Sequence, residues 1–149
     1  MKKIVALVFL LFFIQLLSAQ ELLTGCYYVI EKSDSAILAM GKKDTVYVDK
    51  TPIITISDFD KIKLKKTNYS YVLEIDLKRA AVEKFRIATA AWVHKKMALI
   101  VEGEIVSAPT VNSEIANGKI WLTNGTYIKE EMNVMKEKLE KEMKAVKKN

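Results

Sequence analysis

The chain contains 149 residues, a length that fits one domain. Its 28% of charged residues and 50% of hydrophobic residues argue against a disordered chain. The formal net charge is +6, but no basic cluster alternates with aromatic residues, so a nucleic acid is not expected as a partner. The single cysteine, Cys26, excludes an internal disulfide.

Residues 1–20 have the pattern of a signal peptide. A basic start is followed by an almost wholly apolar run over residues 4–17, and small residues come after it. The run is too short to span a bilayer comfortably and is typical of a secretory leader. We expect cleavage near Ala19 or Gln20 and a periplasmic or secreted protein. The alternative is an uncleaved membrane anchor.

The segment around Cys26 supports two interpretations. Leu23–Cys26 has the form of a bacterial lipobox, in which Cys26 would be acylated and the protein would be a lipoprotein. Polar residues at 18–21 separate this motif from the apolar run, which is unfavourable for that processing. We therefore favour a first strand over Cys26–Glu31 with a small buried thiol. Contact with a membrane is expected only if Cys26 is acylated or the leader is not cleaved.

Short strands and turns are predicted between this strand and the centre of the chain. Thr45–Val48 alternates like a strand, and lysines alternate with Ile62 and Leu64 as they do on an exposed edge strand. The turns between these segments are predicted at residues 33–35, 41–44, 49–52 and 67–70.

A strand and a helix follow. Tyr71–Ile75 is β-prone, and four apolar residues then recur at helical spacing, so they share one face: Ala81, Phe85, Ala88 and Trp92. Asp76 is predicted to cap the first turn of this helix, because a short carboxylate accepts a backbone N–H there.

Two apolar runs after the helix predict a β-hairpin. Met97–Val101 and Glu104–Ala108 flank Glu102 and Gly103, and glycine accepts the positive φ of a tight turn. Pro109 is expected to end the second strand, and another strand is predicted at Lys119–Thr123. The whole pattern predicts an α+β fold, with a small, mostly antiparallel sheet, one packed central helix, a β-hairpin and a C-terminal amphipathic helix.

The C-terminal helix carries an apolar stripe at spacings of three and four residues: Ile128, Met132, Met135, Leu139, Met143 and Val146. Thr126 is the predicted N-cap. The stripe is either an adaptable surface for apolar polypeptides or a face that packs on the domain while its last turns fray; we favour packing. The domain prediction is therefore a signal peptide at 1–20, an α+β domain at 21–126 and this helix at 127–149.

Catalytic chemistry is not indicated. The only histidine, His94, is expected at the surface near the end of the central helix, and no nucleophile motif accompanies a serine. One histidine and one cysteine do not make a usual zinc site, and no glycine-rich phosphate loop is present. We predict no catalytic residues, no metal, no cofactor and no enzyme activity.

The central third of the chain resembles the head part of the first periplasmic domain of SecD, an accessory subunit of the bacterial Sec translocase. The resemblance is carried by Leu73–Leu77 before the helix, Glu83–Phe85 and Ala88–Thr89 within it, and above all by Lys95–Asn112, which reads KKMALIVEGEIVSAPTVN. Ile115, Gly118, Ile120 and Thr123–Gly125 fit the end of the pattern.

This resemblance implies a detached head domain that binds protein outside the cytoplasm. No bundle of membrane helices and no intramembrane carboxylate for proton coupling is recognised in the sequence, so a complete SecD subunit is not expected. The expected partner is an unfolded or exported polypeptide, or an envelope protein. Candidate contacts around the hairpin are Ile105, Val106, Pro109 and Val111. The alternative function is an envelope structural or ligand-binding protein that reuses the fold with no export role.

Overall fold

The computed structural model describes residues 21–123 and 128–148. The signal peptide predicted at 1–20 therefore lies outside the described residues, as does Thr126. In chain order the elements are β1 (Gly25–Tyr28), β2 (Ala36–Met40), β3 (Thr45–Asp49), β4 (Ile54–Thr55), a 3-10 turn (Ile56–Asp58), β5 (Phe59–Lys66), β6 (Tyr71–Leu77), α1 (Arg79–Ala91), β7 (Met97–Val101), β8 (Glu104–Ser107), β9 (Lys119–Leu122) and α2 (Lys129–Val146). Within the described residues, neither helix is apolar enough over a sufficient length to cross a membrane.

The strands form antiparallel sheets, which confirms the α+β class. One sheet has the order β4-β1-β7-β8, another has the order β5-β6-β9, and β2 pairs with β3 as a separate hairpin. The predicted single small sheet is thus divided into three. The division arises because the strands on either side of α1 join different sheets: β6 pairs with β5 and β9, whereas β7 pairs with β1 and β8.

The four-stranded sheet separates two hydrophobic clusters. Because neighbouring side chains of a strand point to opposite faces, Cys26 and Leu99 join a large cluster with α1, α2 and the three-stranded sheet. Tyr27 and Ile100 join a smaller cluster with the β2–β3 hairpin. The four-stranded sheet therefore has apolar packing on both of its faces.

The central helix packs as predicted but begins differently. Ala81, Phe85 and Ala88 are buried, and Trp92, at the C-cap, stacks on Tyr28 with ring centroids 4.3 Å apart. The Asp76 cap is wrong. Strand pairing of β6 with β9 includes Asp76 opposite Lys119 and places this carboxylate in the sheet, so Lys78 becomes the N-cap.

The hairpin at residues 97–107 confirms the predicted turn. Glu102 and Gly103 both have positive φ, at 49° and 82°, as a two-residue primed turn requires. Strand β8 ends at Ser107, before Pro109. The chain beyond it stays beside β7, because the Met97 N–H donates to the Pro109 carbonyl at 3.0 Å and the Val111 N–H donates to the Lys95 carbonyl at 2.9 Å.

The apolar stripe of α2 packs on the domain. Met132, Leu139 and Met143 are buried in the large cluster, and Met135 is packed against it. The two ends of the stripe are more open, since Ile128 is 58% exposed and Val146 is 40% exposed. Ile128 occupies the N-cap position. The packing interpretation of the stripe is therefore the correct one, and it extends almost to the end of the helix.

Candidate functional site

The four residues predicted as polypeptide contacts do not form one surface. Ile105 and Val111 are buried, Val106 is half-buried and Pro109 is exposed. Ile105 and Val106 line a groove between β8 and α2. Pro109 and Val111 line a second, smaller cavity farther along the same segment. Buried side chains are not available to a partner. Of the four predicted contacts, Val106 and Pro109 are therefore the two that a bound polypeptide could touch.

The groove between β8 and α2 is the larger of these two concave regions, with a volume of about 560 Å³. Ile105 and Val106 form one wall, and Val134 and Met135 of α2 form the facing wall. Val134 is 56% exposed, so this wall presents apolar surface to solvent. The rim carries both signs of charge: Lys42, Lys43, Asp44, Glu104, Glu130, Glu131 and Lys138.

A buried threonine fixes α2 against the hairpin. The Thr24 hydroxyl donates to Glu142 Oε2 at 2.8 Å, and the backbone N–H of Glu102 donates to the same hydroxyl at 3.0 Å. On the surface, Lys138 Nζ lies 2.9 Å from Glu102 Oε2. These contacts join three segments that are far apart in sequence. The width of the groove is therefore set by long-range contacts, and no local sequence signal reveals them.

The turn between β2 and β3 forms the third side of the groove. Gly41 makes a parallel bridge with Ile105 on the outer side of β8. A Cβ at position 41 would lie 2.3 Å from the Ile105 carbonyl oxygen. Only glycine allows this approach, so the position of Lys42–Asp44 beside β8 depends on Gly41.

The second cavity has a volume of about 260 Å³ and is lined mainly by apolar side chains, among them Cys26, Phe85 and Trp121. Cys26 is 3% exposed, and desolvation by burial raises the pKa of its thiol from 9.0 to about 12. The thiol is therefore neutral at physiological pH and does not have the thiolate character of a reactive cysteine. Strand β1 confirms that a strand with a buried thiol lies here, although it covers Gly25–Tyr28 and not Cys26–Glu31; acylation of Cys26 stays the untested alternative.

A charged cluster that was not predicted from the sequence lies on the outer face of the three-stranded sheet. Glu74 is 2% exposed. It accepts hydrogen bonds from Lys65 Nζ at 2.7 Å, Lys119 Nζ at 3.1 Å and Trp121 Nε1 at 2.9 Å. Asp76, next on the same face, accepts from Lys63 at 2.5 Å and from Lys119 at 2.6 Å.

These contacts stabilise the charged form of both carboxylates. The Lys65 hydrogen bond, helped by those from Lys119 and Trp121 and opposed by desolvation, lowers the pKa of Glu74 from 4.5 to about 2. The hydrogen bonds from Lys119 and Lys63 lower the pKa of Asp76. The period-two alternation of lysines in β5 and acids in β6 was the available signal, but the pairing of the strands was needed to bring them together.

The single histidine has a structural position. His94 is exposed, its φ is 68°, and its backbone N–H donates to the Val111 carbonyl at 2.8 Å. It therefore lies at the surface just after α1, as predicted. Over residues 21–123 and 128–148, no three or more His, Cys, Asp or Glu side chains are grouped so that they could hold a metal ion.

The fold and the groove define a small α+β domain, with a hairpin edge that faces a docked C-terminal helix. The family model of the SecDF P1 head subdomain matches residues 31–140. The chain belongs to this family, which confirms the resemblance inferred from the sequence. No curated protein matches the chain.

Two solved structures share the fold. A crystal structure of SecDF in a super-membrane-facing form aligns with a TM-score of 0.55 and 14% identity, over 66% of this chain and 16% of that one. A second structure, described as a membrane component SecDF that enhances protein export, aligns with a TM-score of 0.60 and 14% identity, over 77% of this chain and 60% of that one. The chain therefore corresponds to only a part of each of these proteins.

Proposed function

We propose that this chain is an extracytoplasmic protein-binding domain that assists protein export by holding a segment of unfolded polypeptide, without catalysis. The observation that carries the proposal is the groove between β8 and α2, in which apolar walls are flanked by a rim of both charges. Membership of the SecDF P1 head family supports the connection to export. The similarity in fold to SecDF, a membrane component that enhances protein export, supports it as well.

The groove suits an extended segment of varied sequence. Strand β8 contains four residues, which span about 13 Å at the usual rise of a strand. Along this length Val106 faces Val134 and Met135 across the groove. The thioether side chain of methionine is flexible and fits apolar groups of different shape. A rim of both charges does not select for the net charge of the bound segment, as a general export accessory requires.

Pro109 stays a candidate second contact. It is exposed and lines the apolar cavity that follows β8. Because the chain from Glu104 to Val111 is continuous with β8, a bound segment that leaves the groove toward residue 109 would reach this cavity. An apolar side chain of the client would fit there.

Binding to a permanently unfolded test protein checks the proposal. The exported form of the chain is titrated into a fluorescently labelled, reduced and carboxymethylated protein, and anisotropy gives the Kd. Val134→Asp places a charge on the apolar wall and should weaken binding about tenfold or more, since burial of a valine side chain contributes about 1.5–3 kcal/mol.

Ile87→Asp is the matched control. Ile87 is 55% exposed on α1 and does not line the groove, so its Kd should stay within about twofold of the wild type. Equal losses in both variants would contradict the groove as the binding site. If the unmodified chain binds the native, disulfide-bonded test protein as well as the unfolded form, the alternative of an envelope protein with no export role is favoured.

The proposed location is the periplasm or the exterior of the cell. Intact mass of the exported protein separates three forms in one measurement: cleavage near Gln20, acylation at Cys26, or an uncut leader. We expect the mass of the chain cleaved near Gln20. A lipid adduct on Cys26 would instead make the protein a lipoprotein and would require the first strand to begin at a modified residue.

A further inference from the structure

The segment that follows β8 continues the edge of the four-stranded sheet. Leu99 of β7 pairs with Ser107, and Lys96, just before β7, forms an antiparallel bridge with Thr110. The two pairs have the same register, so the chain from Ser107 to Thr110 lies beside β7 as an extended strand. The edge of the sheet therefore reaches beyond the end of β8.

The hydrogen bonds of this segment show which of its backbone groups point away from the sheet. Toward β7 and the residues before it, the Pro109 carbonyl accepts a hydrogen bond at 3.0 Å and the Val111 N–H donates one at 2.9 Å. In an antiparallel pair, a residue between two such bonds directs its own N–H and C=O away from the partner strand. Thr110 lies between them, and Ala108 comes two residues earlier in the same register, so both residues direct these groups outward.

The N–H and C=O groups of Ala108 and Thr110, which we call the open edge, have no partner strand. Within residues 21–123 and 128–148, no hydrogen bond is made to any of these four groups. Pro109 and Thr110 are exposed, and Ala108 is half-buried. A row of unpaired backbone donors and acceptors at a sheet edge is a template on which another extended chain can pair.

The sequence does not protect the open edge against pairing. Lysines commonly discourage pairing at an edge, and β5, an edge strand of the three-stranded sheet, has four lysines among its eight residues. Residues 105–113 contain no charged residue. Pro109 does not interrupt the open edge, because its nitrogen and its carbonyl face β7. One of these two edges is thus protected by charge, and the other is available to a partner.

We propose that the open edge binds unfolded polypeptide by strand addition. A client segment in extended conformation lies beside Ala108 and Thr110, and its backbone forms hydrogen bonds with their four outward groups. Hydrogen bonds between main chains do not depend on the client's sequence. The inference rests on the proposed polypeptide binding and names the way in which the client is recognised.

The open edge connects the two concave regions of the domain. Ile105 and Val106, immediately before it, line the groove beside α2, and Pro109 and Val111 line the second cavity. Every second side chain of an added strand points to the same face of the sheet as Pro109 and Val111. That face leads into the apolar cavity of about 260 Å³. The preferred client is therefore an extended segment with apolar side chains at alternate positions.

Amide hydrogen exchange, measured for single residues by NMR, reports directly on the open edge. In the free exported protein, the N–H groups of Ala108 and Thr110 should exchange rapidly because neither is hydrogen-bonded, whereas that of Val111 should be protected. Saturation with the reduced and carboxymethylated test protein should slow exchange at Ala108 and Thr110 about tenfold or more. Val111 is the internal control for a general gain in stability, and its rate should change less than about twofold.

Thr110→Pro removes one donor from the open edge and places a ring in the path of an added strand. Proline is tolerated at an edge position whose N–H is not part of the ladder, so the urea midpoint should stay near that of the wild type. The Kd for the test protein, measured by anisotropy, should rise about tenfold. Thr110→Ala is the matched control, since it keeps the N–H, and its Kd should stay within about twofold of the wild type.

Client binding and strand addition can be refuted separately. If the test protein binds but exchange at Ala108 and Thr110 is unchanged, or if the two Thr110 variants have equal Kd values, strand addition at this edge is wrong and the proposed function stands. Protection of the same amides without the client, increasing with protein concentration, would assign the open edge to a second copy of this chain and overturn the inference. If the wild-type protein does not bind the test protein at all, the proposed function and this inference both fail.

Discussion

Glu74 shows how one buried carboxylate organises a sheet surface. It sits at the centre of three strands, and its side chain is almost completely enclosed by lysine stems and an indole. An enclosed carboxylate is tolerable only when its charge is matched and its oxygens are hydrogen-bonded. Lysines on both neighbouring strands provide this match, and they also hold β5 and β9 in register with β6.

The lowered pKa of Glu74 predicts a loss of stability in acid. The unfolded chain binds a proton at this group near pH 4.5, whereas the folded chain does so only near pH 2. The stabilisation is therefore complete above about pH 4.5 and is lost as the pH falls toward 2. Glu74→Gln should lower the urea midpoint at pH 7 and should flatten the decline between pH 4.5 and 2. The stability of this variant should still fall somewhat in acid, because the pKa of Asp76 is also lowered.

Urea unfolding at pH 7, 4 and 2.5 measures this effect, with Glu83→Gln as the control. Glu83 is also ion-paired, to Arg86, but its side chain is 65% exposed, so its removal should hardly change the midpoint. If both variants showed the same pH profile, the stabilising role assigned to Glu74 would be refuted.

At the scale of elements, local sequence patterns correctly predicted the features that depend on neighbouring residues, namely the buried face of a helix and the position of a tight turn. The spacing of Ala81, Phe85 and Ala88 placed the correct face of α1 in the core, and Gly103 identified the hairpin turn. The predicted Asp76 cap failed because strand pairing extends β6 through Asp76, whereas the Thr126 cap lies outside the described residues and Ile128 occupies the N-cap position of α2. The separation into sheets was not predictable, since it depends on the pairs β1–β7 and β6–β9, whose strands lie far apart in sequence.

The β2–β3 hairpin gives a prediction at the same scale. Gly41→Ala places a methyl group against the Ile105 carbonyl, so the turn should move away from β8 at a cost of about 1–3 kcal/mol. The movement opens the groove, and we expect weaker binding of the unfolded test protein in addition to the lower stability measured by urea unfolding.

Gly103→Ala separates the two effects. Gly103 has positive φ, and a Cβ there would meet no described atom within 4 Å. This variant should therefore lose about 1–2 kcal/mol through backbone strain alone and keep its affinity for the test protein. Equal affinity losses in the two glycine variants would mean that the β2–β3 turn does not shape the groove.

For the molecule as a whole, the candidate site was only partly predictable. The hairpin itself was predicted, but two of the four contacts predicted around it, Ile105 and Val111, are core residues. The facing wall comes from α2, whose amphipathic pattern showed that it would pack but not where. Val134 lies outside the apolar stripe, so only the docked position of the helix reveals that it faces β8.

The docking of α2 leads to a prediction about cooperativity. Leu139 is fully buried in the cluster that also contains Phe85 and Leu73. Leu139→Ala should therefore destabilise the entire domain by about 2–5 kcal/mol, and unfolding should remain a single transition. Val146→Ala, at a 40% exposed position of the same helix, should change the stability by less than about 0.5 kcal/mol.

Unfolding followed by both circular dichroism and tryptophan fluorescence distinguishes a shared core from separate units. If α2 formed an independent unit, Leu139→Ala would separate the helical signal from the fluorescence of the two tryptophans, Trp92 and Trp121, neither of which belongs to α2. Coincident curves are expected instead, because Met132, Leu139 and Met143 complete the same hydrophobic cluster as α1. The groove wall would then be as stable as the domain itself, and a bound polypeptide would meet a surface that is already formed.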